Sequence, residues 1–405
     1  MLAKLSPAVR QYLIVTGNYW AFTLTDGALR MLVVLHFHGL GYSPLEIAML
    51  FLFYEIFGVV TNLVGGWLGA RIGLNRTMNI GLGLQIAALA MLMVPAEYLT
   101  ILWVMAAQAI SGIAKDLNKM SAKSSIKLLV PQGADDKLYS WVALLTGSKN
   151  ALKGAGFFLG GLLLATLGFQ GAVLAMASAL LLVWIMSLLT LKQELGKTKY
   201  KPKFSQMFSK SSAINYLSAA RMFLFGARDV WFVIALPVFL ASEFGWNHSY
   251  VGGFLALWVI GYGIVQASAP KFTGRQAAEN GAAAASLWAV LLAISPVAIA
   301  VGLVQFGASV ALVTIGLLIF GVLFAVNSSL HSFLIVQYAD QEGVSMDVGF
   351  YYMANAMGRL IGTVLSGYVY QQLGLTACLW VSAIFIAIAA ALSLKLPKQH
   401  KVTAS

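Results

Sequence analysis

The chain has 405 residues, of which 60% are hydrophobic and 10% charged, and its mean hydropathy is +0.83. An ordinary soluble domain has about 25% charged residues, so this composition excludes a soluble enzyme, and it excludes a disordered chain, which needs low hydrophobicity. A single cysteine, Cys378, excludes a disulfide scaffold. The sequence therefore predicts a polytopic helical membrane protein, although its net charge of +12 is large for so few ionisable groups.

Twelve apolar stretches are long enough to cross a bilayer as helices, which takes about 20 residues each. Short polar or Gly- and Pro-containing breaks separate them. The predicted fold is therefore an all-α membrane protein with twelve transmembrane helices. In chain order the predicted spans are 12–38, 45–68, 77–95, 99–122, 138–167, 171–191, 213–240, 250–269, 282–303, 308–336, 347–372 and 375–396.

A basic polar segment between the sixth and seventh spans divides the chain. It predicts a six-helix bundle at 1–191, a basic cytoplasmic linker at 192–212, and a second six-helix bundle with a short cytoplasmic tail at 213–405. The halves share weak similarity, because the sequence from Gly27 to Arg30 is echoed between Gly226 and Arg228, and Asn18-Tyr19 is echoed by Asn215-Tyr216. We therefore expect two bundles related by pseudo-twofold symmetry.

The positions of Lys and Arg predict the orientation, because cytoplasmic loops carry an excess of these residues. Eighteen of the 26 lie at the termini, in the linker, or in the second-to-third, fourth-to-fifth and eighth-to-ninth connections, and the opposite loops contain none. Both termini are therefore expected in the cytoplasm. The predicted location is the bacterial cytoplasmic (inner) membrane, with multiple passes.

Eight cations and four acids lie inside the predicted spans, away from the first two and the last two residues of each. Each charge costs roughly 2.5 to 3.5 kcal/mol at a helix centre, so we expect them to face a cavity or one another. If all four acids pair with cations, four cations are left over, which predicts a small polyanionic substrate. The cations are Arg30, Lys115, Lys119, Lys149, Lys153, Arg221, Arg228 and Arg359, and the acids are Asp26, Glu55, Asp116 and Asp229.

All eight cations are predicted to bind substrate, since they follow polar helix faces. Arg30 and Arg228 are expected to bind one tetrahedral oxyanion, and the four lysines a second anionic group. Arg359, with Tyr352 and Asn355, completes the C-terminal part of the site. The alternative is that the cations pair with carboxylates and only hold the bundle together, as in Asp26–Arg30, Asp116 with a neighbouring lysine, and Asp229–Arg228.

The intramembrane acids are also candidates for coupling or proton transfer. Glu55 has no cation one turn away on its own helix, and the alternative for it is a protonated carboxyl hydrogen-bonded to a neighbouring helix. Asp26, Asp116, Asp229 and His331 are the other candidates. No metal site, cofactor or catalytic constellation is expected, so the sequence predicts a secondary transporter and not an enzyme.

Two motifs at helix ends resemble those of the major facilitator superfamily. GWLGARIGLNR at 66–76 resembles its G-x-L-a-D-R-x-G-R-R loop, with Ala70 at the acidic position. GFFLGG at 156–161 resembles its antiporter motif G-P-x-x-G-G, with Phe157 in place of proline. The alternative for this second motif is a small-residue face that allows close helix packing. The resemblance implies the twelve-helix fold of that superfamily.

Three charged stretches resemble the organoarsenical efflux permeases of the ArsJ family. They are NYWAFTLTDGALR at 18–30, GIAKDLNKMSAK at 112–123 and LTGSKNALKG at 145–154. The resemblance implies export of 1-arseno-3-phosphoglycerate, which a glyceraldehyde-3-phosphate dehydrogenase forms when it uses arsenate in place of phosphate. Arsenate resistance, alternating access and a functional link to that dehydrogenase follow from the same resemblance.

Other functions remain open at this point. The chain is alternatively an organophosphate/phosphate antiporter, another transporter of small organic polyanions, or, in a different class, a non-transporting membrane scaffold or sensor. Export is expected to be driven by exchange with protons or another anion. The expected partners are the substrate and the lipid bilayer, with no nucleic acid, and the expected state is a monomer.

Overall fold

The computed structural model describes residues 6–42, 50–191, 195–198, 202–208 and 210–397. In these ranges the regular elements are ten α-helices and two short 3₁₀ turns at 96–98 and 204–207. The start of the second predicted span, both chain ends and part of the predicted linker lie outside the described residues. The helices are α1 Pro7–Gly39, α2 Leu52–Ile72, α3 Leu74–Met91, α4 Ile101–Leu129, α5 Asp135–Thr190, α6 Ser212–Phe232, α7 Ala235–Phe244, α8 His248–Phe306, α9 Val310–Tyr338 and α10 Val344–Ser393.

The ten helices are compatible with the twelve predicted spans. Non-helical backbone divides α5 at Gly168, α8 at Asn280 and α10 at Gly374. The part of the chain that the structure describes thus contains thirteen helical segments, of which α6 and α7 share the seventh predicted span. Seven stretches, two of which contain a division, are long and apolar enough to cross a membrane; α1, α3 and α4 are not among them because they carry more polar residues.

Two glycines mark equivalent points in the two halves of the sequence. Gly168 has φ 68° and Gly374 has φ 75°, a left-handed conformation that glycine adopts without the steric penalty of a Cβ atom. Each stands where the fifth span of its half ends and the sixth begins. This correspondence supports the predicted internal repeat.

The described residues pack into two compact units. Unit 1 lies within Met1–Gly133, Ser148–Ser209 and Ala339–Met353, and unit 2 within Ala134–Gly147, Lys210–Tyr338 and Ala354–Ser405. Each unit therefore combines most of one half of the sequence with one short segment from the other half. The division of the chain into bundles at 1–191 and 213–405 stays a prediction.

In unit 1, α4 packs against α1, α2 and α3. Its hydroxyl N-cap, Thr100, accepts a hydrogen bond from the main-chain N–H of Trp103 at 3.3 Å, the usual way to satisfy a free donor at a helix start. The polar side chains Gln108, Asp116 and Lys123 of α4 are buried. This central helix therefore brings polar and charged groups into the interior of unit 1.

Close approach of α1 and α5 depends on small residues. A Cβ atom on Gly27 would lie 2.7 Å from the main-chain oxygen of Lys153, and one on Gly156 would lie 2.7 Å from the main-chain oxygen of Leu24. Gly160 meets the main chain of Ala28 in the same way. These contacts support the packing interpretation of the 156–161 motif.

We predict opposite effects for two glycine substitutions in α1. Gly27→Ala should lower thermal stability by about 1–3 kcal/mol, since the added methyl group overpacks the contact with α5. Gly17→Ala, where nothing lies within 4 Å of the added atom, should raise it by up to about 1 kcal/mol through helix propensity. Thermal unfolding of the purified protein in detergent checks both changes, and a Gly27→Ala protein at least as stable as the wild type would contradict this packing.

In unit 2, α6 and α10 approach each other closely at glycines, as α1 and α5 do in unit 1. A Cβ atom on Gly362 would lie 2.7 Å from the main-chain oxygen of Gly226, and Gly358 meets the main chain of Met222. Gly226 and Gly27 are the two glycines that the predicted repeat aligns. The aromatic core beside this contact includes Trp231, whose ring meets Phe320 edge to face at 4.9 Å.

The loop motif at 66–76 contacts the linker. Ala70, which stands at the acidic position of the motif, is buried, and its main-chain oxygen accepts hydrogen bonds from the main-chain N–H and hydroxyl of Thr198 at 2.9 and 3.1 Å. The indole N–H of Trp67 donates to the main-chain oxygen of Pro202 at 2.9 Å. The linker therefore makes main-chain contacts at the position where the superfamily motif carries a carboxylate.

Candidate functional site

Tyr54 of α2 is the centre of a charged cluster in unit 1. Its hydroxyl donates to both carboxylate oxygens of Asp26, at 2.8 and 3.1 Å. The guanidinium of Arg30 lies 4.6 Å from the centre of the Tyr54 ring, and the ammonium of Lys115 lies 3.7 Å from it. Each such cation–π contact contributes about 0.5–2 kcal/mol. The ring thus holds two predicted substrate-binding cations beside one predicted proton carrier.

The ion pairing of Arg30 differs from the expected one. Its Nη2 lies 3.2 Å from Oε1 of Glu55, and both side chains are partly exposed, at 25% and 36%. The pair with Asp26 suggested by the sequence is thus replaced by a pair with Glu55, because α2 places Glu55 beside α1. The cation that Glu55 lacks on its own helix comes from a neighbouring helix.

A second aromatic ring, that of Tyr352 on α10, contacts two lysines of α4. Lys119 Nζ lies 4.8 Å from its centre, and Lys123 Nζ lies 4.7 Å from it. Lys123 also donates to the Tyr352 hydroxyl. Asp116 binds Lys119 Nζ at 2.6 Å. Tyr352 therefore belongs to the lysine cluster of unit 1.

Lys123 corrects the predicted boundary of the fourth span. The fourth span was predicted to end at 122, with Lys123 in the following connection, whereas α4 continues to Leu129 and only 2% of Lys123 is exposed. Its spacing of four residues from Lys119, which places both on one helix face, was the available signal. The other predicted lysines, Lys149 and Lys153, are half-buried on α5 in the same unit.

In unit 2, Asp229 binds two arginines. Its Oδ1 accepts from Arg228 Nε at 2.6 Å and its Oδ2 accepts from Arg359 Nε at 3.1 Å. The Asp229 side chain is fully buried, and Arg228 and Arg359 are 15% and 35% exposed. The predicted Arg228–Asp229 pair is therefore present, and Arg359 shares the same carboxylate.

Arg221 is buried, and it donates hydrogen bonds to Asn355 and Ser328. Its Nε donates to the amide oxygen of Asn355 at 2.9 Å, and its Nη1 donates to the main-chain oxygen and the hydroxyl of Ser328, both at 3.1 Å. Its guanidinium lies 3.9 Å from the centre of the Phe225 ring, on which Arg228 also stacks, at 5.0 Å. Phe225 thus contacts two cations, as Tyr54 and Tyr352 do in unit 1.

His331 of α9 is fully buried in unit 2, and within the described ranges neither of its ring nitrogens has a hydrogen-bond partner. It follows Ser328 by one helical turn, so both residues lie on one face of α9. Elsewhere in the part of the chain that the structure describes, no group of three or more His, Cys, Asp or Glu side chains is arranged to hold a metal ion.

Positive charge exceeds negative charge among the predicted site residues of both units. Unit 1 contains five of the predicted cations and three of the acids, and unit 2 contains three cations and one acid. Lys123 adds a further buried cation to unit 1. Tyr54 and Ser328 were not predicted, because neither stands on a polar helix face that also carries one of the predicted cations.

Comparison with known proteins identifies the fold. Residues 12–346 match the sequence model of the Major Facilitator Superfamily, and a search of the curated proteins found no match. The human organic anion transporter MFSD10 (TETRAN) has a TM-score of 0.77 and 16% identity, covering 96% of this chain and 100% of that one. The E. coli fucose:proton symporter FucP has a TM-score of 0.74 and 12% identity, covering 97% of this chain and 100% of that one.

A bacterial homologue of the iron transporter ferroportin is a third similar structure, with a TM-score of 0.73 and 15% identity over 96% of this chain and 99% of that one. At these identities the likeness shows the fold and not the substrate. The predicted all-α, multi-pass membrane fold is confirmed by the helices and by these neighbours. The chain belongs to the Major Facilitator Superfamily, and it is a transporter and not an enzyme.

Proposed function

We propose that this transporter exports a small organic polyanion, 1-arseno-3-phosphoglycerate, from the cytoplasm by alternating access. The observation that carries the proposal is the excess of buried or half-buried cations over carboxylates in each unit. Burial of charge is expensive unless a partner of opposite sign is present. An anionic substrate supplies that partner, whereas a neutral sugar does not.

The contacts of the cations with aromatic rings also suit an anion that binds and leaves. The rings of Tyr54, Tyr352 and Phe225 each contact two cations. A ring face stabilises a cation less than a carboxylate does. Three of these cations, Arg30, Lys119 and Arg228, also pair with a carboxylate, so an arriving anion competes with one carboxylate for each of them. Arginine binds phosphate-like groups in a bidentate manner, and lysine follows them as a mobile point charge.

The arsenic-containing substrate rests on the resemblance of 18–30, 112–123 and 145–154 to the ArsJ permeases. The contacts of the charged residues support a small polyanion, and the resemblance selects one among several. A bacterial inner membrane with both termini in the cytoplasm is part of the same proposal. The coupling candidates remain Asp26, Glu55, Asp116, Asp229 and His331, of which Glu55 forms an exchangeable, partly exposed pair with Arg30.

Transport in membrane vesicles tests the proposal. Everted vesicles that contain the protein are given glyceraldehyde-3-phosphate, NAD, arsenate and the dehydrogenase, and arsenic inside the vesicles is measured. We expect uptake that needs all of these components. Arg30→Ala, Lys119→Ala and Arg228→Ala should each abolish it while expression in the membrane stays normal; unchanged transport would reject the assigned site.

The direction of flux separates the alternatives. Accumulation in everted and not in right-side-out vesicles indicates export, whereas the opposite result indicates an importer of organophosphates that exchanges them for phosphate. Absence of flux for every phosphorylated compound in both vesicle types would contradict the proposal and favour a scaffold or sensor.

A further inference from the structure

The 3₁₀ turn at 204–207 presents two large apolar rings at the surface of unit 1. Phe204 is 55% exposed, and Phe208, which follows the turn, is 59% exposed. Between them Met207 is buried and fixes the turn against the rest of the unit. Transfer of an exposed ring from water to an apolar medium is favourable. The position of the turn therefore decides what these rings contact.

The turn is attached near the end of α2, a helix long and apolar enough to cross a membrane. The Phe204 ring meets the Trp67 ring edge to face, with 5.8 Å between their centres. The main-chain oxygen of Pro202 accepts the Trp67 N–H, and Trp67 lies within the last two turns of α2. Tryptophan is enriched where a helix leaves the bilayer, so we expect these contacts to hold the turn at the level of the lipid headgroups.

Positive charge accompanies the two rings along the linker. From Leu195 to Lys210 the sequence contains five lysines and no acid. Lys197 and Lys203, which the structure describes, are both exposed, and Lys203 directly precedes Phe204. A series of lysines beside a membrane-spanning helix attracts anionic lipid headgroups, and each lysine near the surface adds to the attraction. Charge and apolar rings therefore occur together on one short segment.

The 66–76 motif beside the linker adds two cations and no acid. Arg71 and Arg76 are exposed, and Ala70 stands where the superfamily motif carries a carboxylate. Another segment of unit 1 packs on this motif through a hydrogen bond from the Ser345 hydroxyl to the main-chain oxygen of Gly66 at 2.7 Å. The acids of that segment are Asp340, Glu342 and Asp347. The four lysines between 197 and 203 and the two arginines outnumber these three acids, so the surface attracts anions.

We infer that the linker and the 66–76 motif form a surface that binds anionic phospholipid headgroups of the adjacent membrane leaflet. The cations bind the lipid phosphate groups, and the two rings insert beside the acyl chains. Lipid is favoured over a protein partner, because the contact with Trp67 holds the rings beside a membrane-spanning helix. The inference goes beyond the proposed function and is independent of the transported substrate. The described residues of this surface are Arg71, Arg76, Lys197, Lys203, Phe204 and Phe208.

A fluorescent label on the turn tests this inference in the whole protein. The single cysteine is removed by Cys378→Ala, and Ser205→Cys, at an exposed position between the rings, carries a bimane label. In phosphatidylglycerol nanodiscs, lipid brominated on its acyl chains should quench the label. The neutral aqueous quencher acrylamide should quench it about threefold less there than in phosphatidylcholine nanodiscs. A label on Gln132→Cys, exposed in the connection after α4, is the control and should be equally accessible to acrylamide in both lipids.

Variants of the lysines and of the rings separate the two contributions to lipid binding. Lys197→Gln with Lys203→Gln should abolish the difference between the two lipids, because the attraction to anionic headgroups is weakened. Phe204→Ser with Phe208→Ser should abolish quenching by brominated lipid, because no apolar ring inserts. Lys137→Gln removes an exposed lysine at the start of α5 and should leave both results as in the wild type.

A label on the turn that acrylamide reaches equally in both lipids would overturn the inference. Together with absent quenching by brominated lipid, that result indicates a surface for a protein partner. Together with strong quenching by brominated lipid, it shows insertion of the rings without selection of anionic headgroups. The wild type and the lysine variant decide between these outcomes even if the variant without the two rings fails to fold, and transport of the substrate enters none of these measurements.

Discussion

Replacing Asp229 by alanine is expected to lower the free energy of unfolding by about 3–5 kcal/mol, because two largely buried arginines lose their shared carboxylate. The acid is fully buried, and each of its oxygens contacts a different guanidinium. A loss of that size is a large fraction of the 5–15 kcal/mol that typically holds a protein folded. Unfolding of the purified protein by SDS in mixed micelles measures it.

The Asp229→Ala experiment has two controls. Asp136→Ala removes an exposed acid from the first turn of α5 and should change stability by less than about 1 kcal/mol. Adding Arg228→Met and Arg359→Met to Asp229→Ala removes the stranded charges and should recover most of the loss. An Asp229→Ala protein as stable as the Asp136→Ala protein would show that the two arginines do not depend on this acid.

Replacing Arg30 by methionine is expected to weaken polyanion binding by about 30-fold or more, which corresponds to about 2 kcal/mol for a lost charged contact. Glu55→Gln should instead strengthen polyanion binding. Because Glu55 shares the Arg30 guanidinium at 3.2 Å, its neutral analogue leaves that guanidinium to the substrate and should raise affinity a few-fold. Calorimetric titration with 3-phosphoglycerate measures both changes.

Arg10→Met is the charge-matched control for Arg30→Met. Arg10 lies on the same helix, and its side chain is exposed, so its loss should leave affinity within about twofold of the wild type. The double variant Arg30→Met with Glu55→Gln removes both charges and should bind as weakly as Arg30→Met alone. If Arg10→Met weakens polyanion binding as much as Arg30→Met does, then the loss of affinity comes from the change in net charge, and a specific role for Arg30 is rejected.

The fold was largely predictable from sequence because bilayer thickness sets the length of each apolar helix. Hydropathy therefore predicted an all-α, multi-pass fold whose twelve spans are compatible with the observed helices. The aligned glycines Gly27 and Gly226 lie at helix contacts in both halves. Helix boundaries were less predictable where a helix continues through a stretch of charged residues. α4 extends past the predicted end because Tyr352, which is distant in sequence, contacts Lys123.

The charged residues of the candidate site were predictable, and their partners were not. An intramembrane charge is visible in the sequence, whereas the partner of Arg30 depends on how α1 packs beside α2. Glu55 was therefore considered alone, and Tyr352 was grouped with Asn355 because they share a helix face. Ser328 was not predicted, because a serine in an apolar span is usually a small packing residue. Its hydrogen bonds with Arg221, Tyr262 and Gln266 are visible only in the structure.

Transport by purified protein in proteoliposomes tests the central claim, which is that this chain carries a small polyanion. Uptake of enzymatically generated 1-arseno-3-phosphoglycerate is measured with and without an excess of 3-phosphoglycerate or of uncharged glycerol. We predict saturable uptake that 3-phosphoglycerate blocks, that glycerol leaves unchanged, and that Arg228→Ala abolishes. Uptake no greater than in empty liposomes, or uptake blocked equally by both compounds, would contradict the account.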